Sequence, residues 1–372
     1  MKVPFVDLLP QYLNLKDEID SELMNIISET SFIGGIAVKE FENLLADLEN
    51  RDYAVGLKSG TSALILALKS LELPEESEVI TTTLTAVPTV EAIVQAGLKP
   101  ILCDVDIDTA QISLESVKNS INSRTKVILP VHLYGIPAPI KELHEICIEK
   151  GLTLIEDVAQ AQGALFEGQR VGTFGLISCY SFFPSKCLGG FGDSGAITTN
   201  DQNLSKKIRA YANHGRTEKY VHSAVGLNDR IDSIQAAVLK TKLPLLRLWN
   251  KMRNSVAKKY LEGLKNTPGL ILPSFPTGST PAWHLFVIRN SKRDSMAKFL
   301  NDAGIGTGLH YPIPVHLHPA YEFLSYPKGS FPVAENYGEE VLSLPIYPYM
   351  EDSKVNYVLE KVHEFSHKDI SL

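Results

Sequence analysis

Between residues 53 and 157 short apolar runs alternate with helical segments, and that alternation leaves few folds open. Tyr53-Ala54-Val55-Gly56-Leu57 reads as a strand, and 63–71 as an apolar helix behind a small polar turn. Strand and helix candidates then alternate over 78–83, 87–96, 100–104, 114–119 and 126–131. The helix 140–150 stops at Gly151, and a buried strand over 152–157 follows. Such alternation predicts an α/β fold, a doubly wound, mostly parallel sheet with helices on both faces. Ligands bind beyond the carboxyl ends of the strands in these sheets.

Past residue 200 the pattern changes. Helices are expected over 204–211, 231–242 and 249–264, then a strand over 283–288, then helices over 294–303, 332–341 and 353–365. Two further helices are expected before the first strand, over 16–30 and 40–50. The expected division is a large domain over 1–245 and a smaller C-terminal α+β domain over 246–372.

Three positions suggest chemistry. An aromatic strand candidate at 178–183 breaks at Pro184, presents Lys186 and enters the loop Gly189-Gly190-Phe191-Gly192. Lysine is ordinarily a surface residue, but burial lowers its pKa and frees the amine to attack carbonyls. Ser59-Gly60-Thr61 lies between a strand and a helix, where first-turn amides suit an anion, although a serine there can equally be a plain N-cap. Asp157 ends a buried strand, where an acid either caps a turn or holds a cationic ring nitrogen. Pyridoxal phosphate needs this set: an amine for its carbonyl, a carboxylate for its pyridinium, and amides for its phosphate.

Net charge is −7 and the pI is near 5.8, so no global basic field favours nucleic acid or anionic membrane. No apolar run reaches transmembrane length, and the N-terminus has no signal-peptide core. The four cysteines form no CxxC pair and read as reduced. A soluble cytoplasmic protein is expected. His316 and His318 resemble a metal pair, but no third ligand accompanies them, and no metal is expected.

Across essentially its whole length the sequence resembles the DegT/DnrJ/EryC1/StrS family of pyridoxal-phosphate-dependent nucleotide-sugar aminotransferases, of the aspartate aminotransferase fold. The motifs that carry the likeness are Pro4-Phe5-Val6-Asp7-Leu8, Ser59-Gly60-Thr61-Ser62-Ala63-Leu64, the run from Glu156 to Ala164, and Ser181-Phe182-Phe183-Pro184-Ser185-Lys186. Gly192-Asp193-Ser194-Gly195-Ala196, Gly226-Leu227-Asn228-Asp229-Arg230-Ile231, and His310-Tyr311-Pro312-Ile313-Pro314-Val315-His316 complete them.

The resemblance implies a seven-stranded sheet and a role for each matching residue. Lys186 would bond the cofactor and shuttle the proton. Asp157 would pair with the pyridine nitrogen, and Gln160 would lie against the ring or its 3-hydroxyl. Ser59, Gly60, Thr61 and Ser181 would bind the phosphate, and Asn228 would reach the phosphate of the neighbouring subunit in a homodimer. Thr85, Phe183, Arg230, His310, Tyr311 and His316 would serve the substrate side. By the same resemblance, glutamate would donate the amine and a nucleotide-linked 3-keto-6-deoxyhexose, dTDP-linked, would receive it in a ping-pong cycle. A 4-keto sugar, a keto-cyclitol, and a silent regulatory protein of the same fold are the alternatives.

Two positions depart from the family pattern. Ala86 stands where relatives commonly have an aromatic residue over the ring. Phe183 and Cys187 stand where many have tyrosine and asparagine.

Overall fold

The computed structural model describes residues 1–370, with side chains through residue 367. Seven strands form the central sheet: β1 Tyr53–Leu57, β2 Glu78–Thr82, β3 Lys99–Cys103, β4 Thr125–Ile128, β5 Thr153–Asp157, β6 Ile177–Ser181 and β7 Gly195–Thr199. Their order across the sheet is β1-β7-β6-β5-β4-β2-β3. Strand β7 runs antiparallel to both neighbours, and every other pairing is parallel. β2 and β7 are buried at every residue, as strands covered on both faces must be. The expected mostly parallel sheet between helices is what forms.

Register decides what meets at the carboxyl edge. Leu57 pairs with Gly195, Gly195 with Ser181, and Asp157 with Cys179 on the next strand. The turn after β1, the end of β6 and the end of β5 therefore converge. The chain crosses back through three central strands to bring residues 59, 157 and 181 together.

The C-terminal layer is built on two antiparallel strands, Phe286–Arg289 and Val341–Leu344, with helices Arg293–Asp302 and Asp352–Ile370 against them. The long helix Leu246–Gly263 leads into it. Its Leu246, Trp249, Arg253, Val256 and Tyr260, spaced three or four apart, are buried, with Ala257 beside them. Truncating a ring such as that of Tyr260 would cost about 3–5 kcal/mol. Val3 bridges Ile305, and its amide donates to the Gly304 carbonyl at 2.9 Å, so the start of the chain packs into this layer as well.

Two local expectations fail here. The helix expected over 332–341 ends at Glu340, and Val341-Leu342-Ser343-Leu344 is a strand. A four-residue apolar run gives no periodicity with which to separate it from the end of a helix. The strand expected from residue 283 begins at Phe286, because Trp283 takes a φ of 49°, outside extended geometry.

Candidate active site

The helix after β1, Gly60–Ser70, starts at Ser59, whose extended backbone and side chain cap it. The Ser62 amide donates to Ser59 Oγ at 3.1 Å. Both readings of this turn therefore coexist: Ser59 is an N-cap, and the Gly60 and Thr61 amides, with no carbonyl one turn back, face the cavity. Close packing requires glycine here. A Cβ on Gly60 would fall 2.6 Å from Ser181 Cβ, and one on Gly195 would fall 2.4 Å from the Ser59 carbonyl. Gly60 thus packs against Ser181 and Gly195 against the Ser59 backbone, and Ser59, Gly60, Thr61 and Ser181 line a small cup of amides and hydroxyls. That donor set fits a phosphate.

Lys186 is held by a tight loop folded over the strand ends. Its amide donates to the Phe183 carbonyl at 2.8 Å, and the Gly190 amide to the Phe182 carbonyl at 2.8 Å. A side chain on Gly189 would begin 2.2 Å from the Pro184 carbonyl oxygen, so only glycine closes this loop. Burial lowers the Lys186 pKa to about 8, although the nearby Asp157 charge pulls it back up.

Asp157 is 3% exposed. The Ala159 amide donates to its Oδ1 at 3.0 Å and the Thr89 hydroxyl to its Oδ2 at 3.0 Å. Burial raises its pKa, and these two donors together with Lys186 oppose the rise. Cup, lysine and carboxylate line one cavity of about 290 Å³.

Thr85, Gln160 and Phe183 line the same cavity. Gln160 Oε1 accepts from the Tyr134 amide at 2.7 Å, and its Nε2 donates to the Tyr311 hydroxyl at 3.0 Å. The Tyr134 hydroxyl in turn donates to the His310 carbonyl at 2.6 Å, tying the 310–311 segment to the sheet. Burial pushes Tyr311 up to about 12, and burial with the Lys186 charge pushes His310 down to about 4, so both are neutral near pH 7.

Other expected site residues are not brought to the cavity. His316 is buried, with Nδ1 2.8 Å from Thr83 Oγ1 and Nε2 3.0 Å from Glu335 Oε1, so both ring nitrogens are spent on the scaffold. Arg230 donates to Asn213 Oδ1 at 2.8 Å and to Asn228 Oδ1 at 2.7 Å. This pair lies beside the end of β1, bridged at Leu57, and outside the cavity wall of its own chain.

The matches to known proteins run nearly end to end. Residues 14–363 match the DegT/DnrJ/EryC1/StrS aminotransferase family. The chain belongs to that family. It is 39% identical over 367 residues to the dTDP-3-amino-3,4,6-trideoxy-alpha-D-glucose transaminase of Streptomyces venezuelae, covering 99% of this chain and 97% of that one. It is 41% identical over 359 residues to the erythromycin biosynthesis sensory transduction protein EryC1 of Saccharopolyspora erythraea, covering 96% and 98%. The crystal structure of S. venezuelae DesV in complex with a ketimine intermediate superposes with a TM-score of 0.96 at 39% identity, covering 98% of each chain.

For a member of this family the sequence motifs left some of the site unread. Thr89, Tyr134 and the Ala159 amide organise Asp157 and Gln160, yet none belongs to a quoted signature except Ala159. A signal for Thr89 existed. It follows Pro88 at the start of a helix directly after β2, four residues beyond Thr85, and so sits where strand-end chemistry is expected.

Proposed function

We propose that this protein is a pyridoxal-phosphate-dependent aminotransferase that moves the amine of glutamate onto the C3 ketone of a dTDP-linked 6-deoxyhexose. The observation that carries the reading is the convergence of the Ser59–Thr61 cup, Asp157 and Lys186 on one cavity. The cofactor supplies a carbonyl that carries the amine and a cationic ring that draws electrons from the reacting carbon. The cup and Ser181 hold its phosphate. Asp157 accepts the ring N–H and keeps that proton in place. Lys186, with an amine easily neutral near pH 8, holds the cofactor between turnovers and then carries the proton at the substrate carbon. Gln160, fixed by Tyr134 and Tyr311, forms the wall beside the ring.

The substrate half rests on the names of relatives and on two segments. The transaminase from S. venezuelae forms a 3-amino sugar by its name, and the Gly192-Asp193-Ser194-Gly195 and Tyr311-Pro312-Ile313-Pro314-Val315-His316 forms look more like the 3-amino branch. Purified protein, glutamate and a set of keto-sugar nucleotides should give a product in which an amine replaces the ketone oxygen, with nitrogen at C3 by NMR. Amination at C4 would refute the position.

We also read the enzyme as a cytoplasmic homodimer with shared sites. Asn228 follows the hairpin of strands Arg216–Glu218 and Val221–His222, and Tyr220 in its turn is 83% and Val225 just beyond it 99% exposed, apolar surface suited to cover by a second copy. Mixed dimers of Asn228→Ala with Lys186→Ala should regain one working site per dimer. A protein that stays monomeric while keeping its cofactor would exclude the shared site.

A further inference from the structure

Two buried threonines of the cavity wall form a hydrogen-bonded chain that ends on Asp157. Thr85 and Thr89 are each 2% exposed. Thr89 Oγ1 is 3.0 Å from Asp157 Oδ2, and Thr85 Oγ1 is 3.1 Å from Thr89 Oγ1. Proton counting fixes the direction. An ionised carboxylate only accepts, so the single hydroxyl hydrogen of Thr89 goes to Oδ2. Thr89 then has only lone pairs for Thr85, and Thr85 must donate to it. The order Thr85→Thr89→Asp157 is therefore the signature of an ionised Asp157; a proton on Oδ2 would reverse the Thr89 hydroxyl.

We propose that Thr89, oriented by Thr85, is a positioning residue that fixes the Asp157 carboxylate as an acceptor for the cofactor's ring nitrogen. This rests on the function proposed above. Thr89 occupies one lone pair of Oδ2 and the Ala159 amide one of Oδ1, which holds the carboxylate plane from both ends. The hydroxyl also stabilises the charge at a site whose burial opposes it. Without it, Asp157 is anchored through Oδ1 alone, and a rotated or protonated carboxyl no longer keeps the ring nitrogen charged.

The test uses holoenzyme loaded with 15N-labelled pyridoxal phosphate, with Thr89→Val, Thr89→Ser and Thr85→Val. The ring-nitrogen chemical shift is followed against pH, beside kcat, KM for glutamate and melting temperature. Thr89→Val keeps the shape and loses only the hydroxyl. Its ring nitrogen should lose its proton at lower pH than the parent's, and kcat should fall about 10- to 100-fold, the range for a hydrogen bond to a charged group. KM should stay within about twofold, because the threonine hydroxyl is spent on Asp157 and acts through it. Thr89→Ser should restore the parent's titration, and Thr85→Val should give a smaller shift in the same direction.

An unchanged nitrogen titration in Thr89→Val, or a serine variant as impaired as the valine one, overturns the proposal. A parent that takes up no cofactor overturns the proposed function and this inference with it. If Thr89→Val unfolds, the serine and Thr85→Val titrations decide the matter in the same way.

Discussion

Glu156 and Asp157 are adjacent carboxylates at the end of β5, both buried, whose side chains leave the strand on opposite faces. Glu156 accepts from the amides of Gly172 at 2.7 Å, Phe174 at 2.9 Å and Gly175 at 2.6 Å, and pairs with His132 Nε2 at 3.1 Å. Burial pushes its pKa up, but His132 and the amides more than offset this, and the net shift is downward. Asp157 has one amide and one hydroxyl, and its net shift is upward. One acid is closed by its own chain, and its neighbour keeps lone pairs for a group the chain does not contain. Burial does not separate these two carboxylates; the incomplete set of donors around Asp157, at the wall of the cavity, does.

Lys186 breaks the symmetry most, since it is the cation on the Asp157 side of the strand. Lys186→Ala should lower amino transfer by about 10⁴-fold or more, with nucleophile and proton carrier lost together. Borohydride should fix the cofactor to this residue, and a peptide map with the adduct on another lysine would remove the assignment. Next in size come the two acids, exchanged for their amides. Asp157→Asn should cost about 10²- to 10³-fold in turnover, as for other preorganised electrostatic contacts. Its melting temperature should not fall. Glu156→Gln should do the reverse, because an NH2 group would face amide donors in a buried site at a cost of about 3 kcal/mol. Its folded fraction should turn over nearly as the parent does. Equal behaviour of the two variants would dissolve the distinction between the acids.

The difference between the acids was partly legible before the structure. The strand-helix alternation carried the sheet, and the order of Ser59, Asp157 and Lys186 carried the site, because strand ends converge in any doubly wound fold. That Glu156 would be closed by Gly172, Phe174 and Gly175 depends on a loop sixteen to nineteen residues on, whose amides have no letter in the sequence. The same limit hid the loss of His316 to the scaffold. Its partners Thr83 and Glu335 come from the end of β2 and from helix Pro332–Glu340, so a motif read along the chain could not separate a substrate contact from a packed ring.

A moderate effect sharpens the electrostatic side of the comparison. Capture of cofactor by the free protein requires the neutral Lys186 amine. With the pKa near 8, the capture rate should rise about tenfold per pH unit below that value and level off above it. A plateau reached only near pH 10 would mean that Lys186 is hydrated like a surface lysine.

The smallest effect is the acid limb of stability in cofactor-free protein, where the two carboxylates should pull in opposite directions. Glu156 has a folded pKa below its unfolded one. It therefore stabilises the fold fully above the unfolded value, and this contribution is lost as pH falls through the folded value. Asp157 has a folded pKa above its unfolded one, so its ionised form costs stability at neutral pH, and the cost disappears on acidification. Thermal denaturation from pH 7 to pH 3.5 should then show the Glu156→Gln deficit shrinking with acid in its pH-dependent part. Asp157→Asn should start slightly more stable than the parent at pH 7 and converge on it in acid. If both variants instead lost stability in parallel across that range, Asp157 would be a paired structural acid like its neighbour, and its place opposite Lys186 would carry no electrostatic design.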